Sequence, residues 1–404
     1  MKRMIPISII LFMIIILSGC WDSKELTDIS IVTILGIDKE DDKYKVTVQI
    51  LNPGEIAGDT GTTQPAVNTY TETGNTLIEA IRRLTSIAPR KIYLSHLRIV
   101  IFGEEFAREG IGGVLDFLSR DHEMRTDFFF AVAKDYAAED VLKILTPLEQ
   151  IPGNNIWGMI KTSEKIWAGV TSVNIDDLVS SITSKGKEAS ITGLSITDDP
   201  EVGSKLTNLE KSLPYTRIET YNESAFRNDK LVDWLTEAQT RTVNNINGKV
   251  QSTVTTIPCG KNGDLSLEVF NTKVEKKAKV KGDTPKMEVN IRVESNIADV
   301  SCTVDLTDPN EITKLEKKHE KDIEKTTRDS IKEIQEMGVD LFGFGEKFKM
   351  SNFKYWKTVE DEWDEVFSDQ LEVDINVDVQ IRRTGTTNQS FFEEIEGNMD
   401  QEEE

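Results

Sequence analysis

The sequence predicts a multi-domain α+β protein with mixed α/β character, built mostly from antiparallel sheets with packed helices. Three observations predict it. Strand-like runs and segments with helical spacing trade places repeatedly between residues 20 and 197. Strand patterns then dominate from Tyr215 to Leu306. Finally, a well-capped helix over 309–338 is followed by strict alternation over 371–382, so the C-terminal region should end in one long helix on a sheet.

The first segment is an address. Lys2 and Arg3 precede a stretch from Met4 to Leu17 that is apolar apart from Ser8, with an unbroken apolar run from Ile9 to Leu17 too short for a spanning helix of about 20 residues. It closes on Leu17-Ser18-Gly19-Cys20, which resembles a bacterial lipobox. Residues 1–19 therefore read as a lipoprotein signal peptide and Cys20 as the lipidation site, giving a chain tethered by lipid instead of spanning the membrane. Losing Lys2 and Arg3 from 48 basic residues leaves 46 against 70 acidic ones. That balance opposes adsorption to nucleic acid and to an anionic bilayer, so the acyl chains must hold the protein in place.

The elements follow in order. Ile29–Ile37 and Tyr44–Leu51 read as an antiparallel pair joined by the charged connection 38–43, and Asn52–Thr73 as a long exposed loop. Leu77, Ile78, Ile81, Leu84 and Ile87 mark a helix that Pro89 closes. Lys91–Phe102 reads as a strand, Glu104–Glu109 and Ile111–Arg120 as helices, Phe128–Ala133 as a strand and Ala137–Leu145 as a helix. Further helices are expected over Asn155–Ala168 and Ile175–Ile182, and a strand over Ala189–Ile196. This N-terminal α/β region, 20–197, has room for two subdomains, and Asp198–Pro214 reads as the connection to a C-terminal region, 215–387.

Beyond the connection, strands are expected over 215–220, 224–226, 249–257, 265–270 and 287–293, with one helix over Trp234–Thr240. Asp308 suits an N-cap, Pro309 the first helical position, Glu311 a capping box and Gly338 a C-cap. The helix between them has a narrow stripe containing Ile312, Leu315, His319, Ile323, Thr327, Ile331 and Ile334. It suits a helix lying on a sheet better than a coiled coil. Residues 388–404 form an acidic tail. Of three cysteines only Cys259 and Cys302 remain to pair outside a cell, and Cys302 in its strand pattern reads more naturally as a free core thiol, like Cys259.

Catalytic chemistry finds no support in the pattern. Asp374-x-Asn376-x-Asp378 copies the start of a calcium loop, but Val379 stands where that loop needs Gly and alternation places the polar groups on one strand face. His96, His122 and His319 are too scattered for a zinc site. Phe342-Gly343-Phe344-Gly345 lacks the lysine of a phosphate loop and reads as a tight turn packing two aromatics. Asp361-Glu362 and Asp364-Glu365 flank an apolar stripe of Trp356, Val359, Trp363 and Phe367, as a solvated helix face does. No cofactor or metal is expected, and the chain reads as not an enzyme.

Several of these stretches together carry a resemblance. Cys20-Trp21-Asp22-Ser23-Lys24-Glu25-Leu26 with Ile31–Asp38, Ser95-His96-Leu97-Arg98 with Leu115–Asp121, and Phe342–Gly345 with Trp356, Trp363–Phe367 and Ile381–Gly385 resemble the C-subunit lipoproteins of spore germinant receptors, the Ger(x)C family. Asp233, where the family has Gly, and the acidic tail depart from it. The resemblance implies several α/β domains without a catalytic site and a lipid-anchored subunit on the outer face of the spore inner membrane. It also implies assembly with an integral-membrane A subunit and a transporter-like B subunit that respond to nutrients. Trp21, Asp22, Glu25 and Leu26, close to the anchor, are then expected to dock against those partners. The competing reading is a solute-binding lipoprotein that delivers a small nutrient to a transporter, which would need two similar lobes around a cleft.

Overall fold

Two sheets, one large and one small, make up the computed structural model, which describes residues 28–56, 64–121, 123–259, 263–282 and 284–384. Cys20, Trp21, Asp22, Glu25, Leu26, the signal peptide, His122 and the acidic tail lie outside the described residues.

The large sheet grows from a hairpin. Strand β1 (Ile29–Glu40) pairs antiparallel with β2 (Lys43–Leu51), and Asp41 makes the turn at φ 50°, a left-handed conformation that Asp tolerates. Strand β3 (Val67–Gly74) pairs with β2 where a loop was expected; its Thr, Asn and Tyr residues hide the alternation that an apolar strand displays. The expected strand 91–102 is split by a turn at Ser95-His96 into β4 (Lys91–Tyr93) and β5 (Ile99–Gly103). Strands β5, β6 (Phe129–Ala133) and β7 (Ser190–Ile196) run parallel to β1, so the centre of this sheet is parallel between antiparallel flanks. The reason is burial on both faces: Ile99, Val100, Ile101 and Phe102 are all fully covered, as continuous apolar strands under helices must be.

Helices cover both faces. On one lie α1 (Leu77–Arg83), α2 (Glu104–Glu109) and α3 (Gly112–Arg120), sharing a core with Val100, Phe102 and Phe130. On the other, α4 (Ala138–Lys143) and α5 (Pro152–Ile166) pack on Ile34, Ile99 and Ile101. Helix α6 (Ile175–Ile182) returns to the first face. Asp38, expected in the charged connection of the hairpin, is buried and accepts the amides of Ala138 and Glu139 at 2.8 and 3.0 Å, capping α4. A Cβ at Gly103 would sit 2.0 Å from that carboxylate, which accounts for the glycine.

The large sheet does not stop at the connection expected over 198–214. Strands β8 (Ile218–Arg227) and β9 (Lys230–Trp234) continue it antiparallel from β7, and α7 (Glu237–Ile246) then opens on a Thr236–Gln239 capping box. Strand β9 replaces the start of the helix expected at Trp234.

The small sheet is β10 (Thr253–Cys259), β11 (Gly263–Lys281), β12 (Thr284–Val300) and β13 (Glu372–Arg383), with only the β12–β13 pair parallel. Helix α8 (Pro309–Met337) lies on it. Asp308 caps α8 by accepting the Asn310 amide, but Glu311 pairs with Lys314 instead of closing a capping box. Gly338 ends the helix at φ 69°. Cys259 and Cys302 are joined in a disulfide with Cα atoms 5.8 Å apart, overturning the reading as free thiols; the pleat places the end of β10 beside the segment leaving β12.

Candidate functional site

The residues that most constrain this molecule gather at the seam between the two sheets, where Gly338–Gly345 leads from α8 into α9 (Phe344–Ser351). Arg227, at the end of β8, donates to the Met337 carbonyl at 2.7 Å and so places a cation at the negative end of α8. The Asp340 backbone oxygen accepts from the Glu188 amide at 2.9 Å, tying the seam to the loop before β7. Gly186 and Gly345 meet there: a Cβ on either would come within 2.6 Å of the other's backbone.

Inside the seam, the Asp340 carboxylate is buried and organises Phe342-Gly343-Phe344-Gly345. It accepts the amides of Phe342, Phe344 and Gly345 at 3.2, 3.1 and 2.8 Å, and the Trp363 indole N–H at 3.0 Å. The turn therefore carries Phe342 and Phe344 side by side, ring centroids 5.1 Å apart, into the second core. Burial raises the Asp340 carboxyl to about 6, against the hydrogen bonds that favour its ionised form. Glu188 is pushed to about 7, chiefly by the same burial.

A polar cavity of about 290 Å³ opens beside this turn, bounded by α6, α7 and β11. Lys276 projects from β11 into its wall and donates to the Phe342 carbonyl at 2.7 Å and to Asn247 at 3.4 Å, its ammonium pKa lowered by burial. Behind Asn244, Thr171 and Ser190 lies Glu223, fully buried, with neither carboxyl oxygen in a well-formed hydrogen bond; desolvation raises its pKa. A wider groove of about 560 Å³ runs between α7, α8 and the small sheet. At its mouth the Arg241 guanidinium lies 4.4 Å from the centre of the half-exposed Trp167 ring and donates to the Val254 carbonyl.

These groups fix one sheet against the other. Apart from Glu223, their charges are used on backbone carbonyls, amides and caps, and no group of three or more metal-binding side chains occurs among the described residues. His319 is fully covered and bonded to Thr255. Asp374, Asn376 and Asp378 share an exposed strand face, where Asp374 meets Lys286 at 2.7 Å, Asn376 meets Asn290 and Asp378 meets Arg292. Asp361 pairs with Lys185, while Asp364 faces Arg227, so the acids after Val359 are not brought together in a groove. Sequence reasoning found the turn but missed its organiser: an Asp two residues before Phe342-Gly343-Phe344-Gly345 was the available signal.

Comparison with known proteins gives a consistent result. Residues 22–196 match the model of a spore germination protein N-terminal domain, and residues 224–385 that of the spore germination B3/GerAC-like C-terminal region. Spore germination protein KC of Bacillus subtilis is 31% identical over 94% of this chain and 95% of its own. Putative spore germination protein YfkR of the same organism is 26% identical over 93% and 95%, and spore germination protein GerQC of Bacillus cereus 26% identical over 96% and 100%. The crystal structure of the GerBC protein shares the fold, with a TM-score of 0.55 at 20% identity over 86% of this chain and 96% of that one.

Proposed function

The chain belongs to the GerAC-like spore germination proteins, and from that premise we propose that it is the lipid-anchored, non-catalytic subunit of a nutrient germinant receptor. The observation that carries the reading is the match of both family regions along one chain whose large sheet runs on through β8 and β9 into the seam. In this reading Cys20 carries the lipid, the protein sits on the outer face of the spore inner membrane, and it acts by contact with an integral-membrane A subunit and a transporter-like B subunit. Trp21, Asp22, Glu25 and Leu26 dock against those partners. The seam suits such a role: it holds two surfaces in a fixed relation, as a subunit bridging two partners requires.

The solute-binding alternative is disfavoured because the two halves differ. One is a mixed sheet covered by helices on both faces, the other a four-stranded sheet under one long helix. A spore strain carrying Cys20→Ala tests the proposal. Loss of the protein from the membrane fraction together with loss of the nutrient response supports it, whereas a full response with the protein in the soluble fraction overturns the anchoring. In a pull-down with the A and B subunits, Trp21→Ala and Asp22→Ala should reduce recovery; unchanged recovery would make them residues of the fold.

A further inference from the structure

We propose that the tip formed by the C-terminal end of α9, the start of α10 (Phe353–Val359) and the end of the β11–β12 hairpin rests on an anionic lipid surface. The inference deepens the reading of this chain as a membrane-surface protein and rests on it.

The tip has an apolar point. Phe344, Phe348 and Trp356 turn inward and are buried, whereas Met350 and Phe353 turn outward and are 73% and 56% exposed. Asn352 between them donates to the Ala278 carbonyl at 2.9 Å, fastening the point to β11 close to the hairpin end. Two large apolar side chains held outward at a rigid corner are poorly placed for the protein's own core and well placed for a lipid interface.

Charge surrounds this point. In a chain of formal charge −22, residues 277–286 carry four lysines against Asp283, and residues 347–357 carry four lysines and no acid. Lys281, Lys349 and Lys354 have no acidic partner among the described residues, and Lys357 lies 5.6 Å from the centre of the Phe353 ring. Lys277 pairs with Glu275, Lys279 with Glu288, Lys286 with Asp374 and Lys357 with Glu360, but these pairs lie at the surface and compete weakly with a dense anionic surface. The overall negative charge repels such a surface, so contact is confined to this corner.

Topology puts the start of α9, the helix that ends in this corner, on the side from which the chain leads to Cys20. Strands β1, β5, β6 and β7 are parallel, so their N-terminal ends share one edge of the large sheet. Ile29 begins β1 on that edge. The loop before β7 lies on the same edge, where Gly186 contacts Gly345 and its oxygen accepts the Glu346 amide at the start of α9. Three strand spacings separate β1 from β7, about 15 Å, and the eight residues from Cys20 to Asp28 can span at most about 28 Å.

Flotation of the unlipidated chain from residue 20 onward, carrying Cys20→Ser and keeping every described residue, tests the proposal. The probes are vesicles of equal parts phosphatidylglycerol and phosphatidylcholine, and vesicles of phosphatidylcholine alone. Binding is expected on the anionic vesicles only, weakened by salt. Met350→Ser with Phe353→Ser, and separately Lys349→Glu with Lys354→Glu, should each reduce it about tenfold at an unchanged melting temperature. No flotation of the parent chain, or flotation of both variants at the parent's level, overturns the proposal. So does unchanged flotation of variants that fail to capture the A and B subunits, which would make the tip a protein interface. Because the lipid is absent, this result is independent of the Cys20→Ala strain, and either reading can fail alone.

Discussion

The Trp363 indole N–H donates to the Asp340 carboxylate at 3.0 Å inside the second core, and the same carboxylate holds the amides of Phe342, Phe344 and Gly345. One buried acid thus joins the turn after α8 to the segment that leads into β13. Asn at 340 could accept through its oxygen but would turn an NH₂ group towards the Gly345 and Trp363 donors. Asp340→Asn is therefore expected to cost about 2–4 kcal/mol, and Trp363→Phe, which removes one donor, about 1–2 kcal/mol. Urea unfolding checks both. Equal losses would show that the indole bond, and not the turn, carries the effect.

His319 predicts a pH dependence of the opposite sign to the buried acids. Its ring is fully covered and burial pushes its pKa to about 4, whereas an unfolded imidazole takes up its proton near 6.5. The unfolded chain thus holds more protons between those values, so stability from this group is complete above about 6.5 and is lost as pH falls towards 4. Asp340 and Glu188, raised to about 6 and about 7, act the other way: what they contribute is present at low pH and is lost as pH rises through those values. The difference between wild type and His319→Leu isolates the histidine. The variant should lose a slope that integrates to at most about 3 kcal/mol between pH 6.5 and 4; parallel curves would refute the assignment.

The disulfide is expected to be structural. Cys259 and Cys302, 43 positions apart, close a loop that contains the whole β11–β12 hairpin and cover a small core with Ile257, Leu265, Leu267 and Leu315. Replacing both by Ser should cost up to about 4 kcal/mol on loop-closure grounds. Thermal unfolding with and without reductant reads it directly: reductant should lower the wild-type midpoint and leave the double variant unmoved.

Local signals explain what was legible in the sequence. Helix α8 declared itself through Asp308, Pro309 and Gly338, and β13 through unbroken alternation, because caps and pleats are properties of neighbouring residues. The Phe342–Gly345 turn was visible for the same reason. Asp38 and Glu223 were not, since what buries them arrives from other elements, and Asp340 was passed over because its burial and its Trp363 donor come from the assembled core, although three of its donors lie in its own turn. Strand β11 was read as ending at Phe270 because its lysine-rich outer face obscures a strand that continues to Lys281. The pairing of Cys259 with Cys302 depended on β10 and β12 both pairing with β11, which only the assembled sheet supplies.

Helix α8 also closes the open edge of the small sheet. The amides of Val379 and Ile381 on the free side of β13 donate to Glu320 at 3.3 Å and Glu316 at 2.8 Å. The match is metrical. Four residues of helix advance about 6 Å and two residues of strand about 6.6 Å, so carboxylates at i and i+4 meet every second amide. An uncovered edge is a template for pairing with another chain. Glu316→Ala with Glu320→Ala should therefore produce concentration-dependent self-association, read by size-exclusion chromatography with light scattering, and lose about 1–3 kcal/mol. Glu316→Gln with Glu320→Gln keeps an acceptor at each site and should behave as wild type. If the Ala variant stays as monodisperse as wild type at every concentration, the carboxylates are surface charges that happen to lie over β13, and the edge is protected by the bulk of the helix alone.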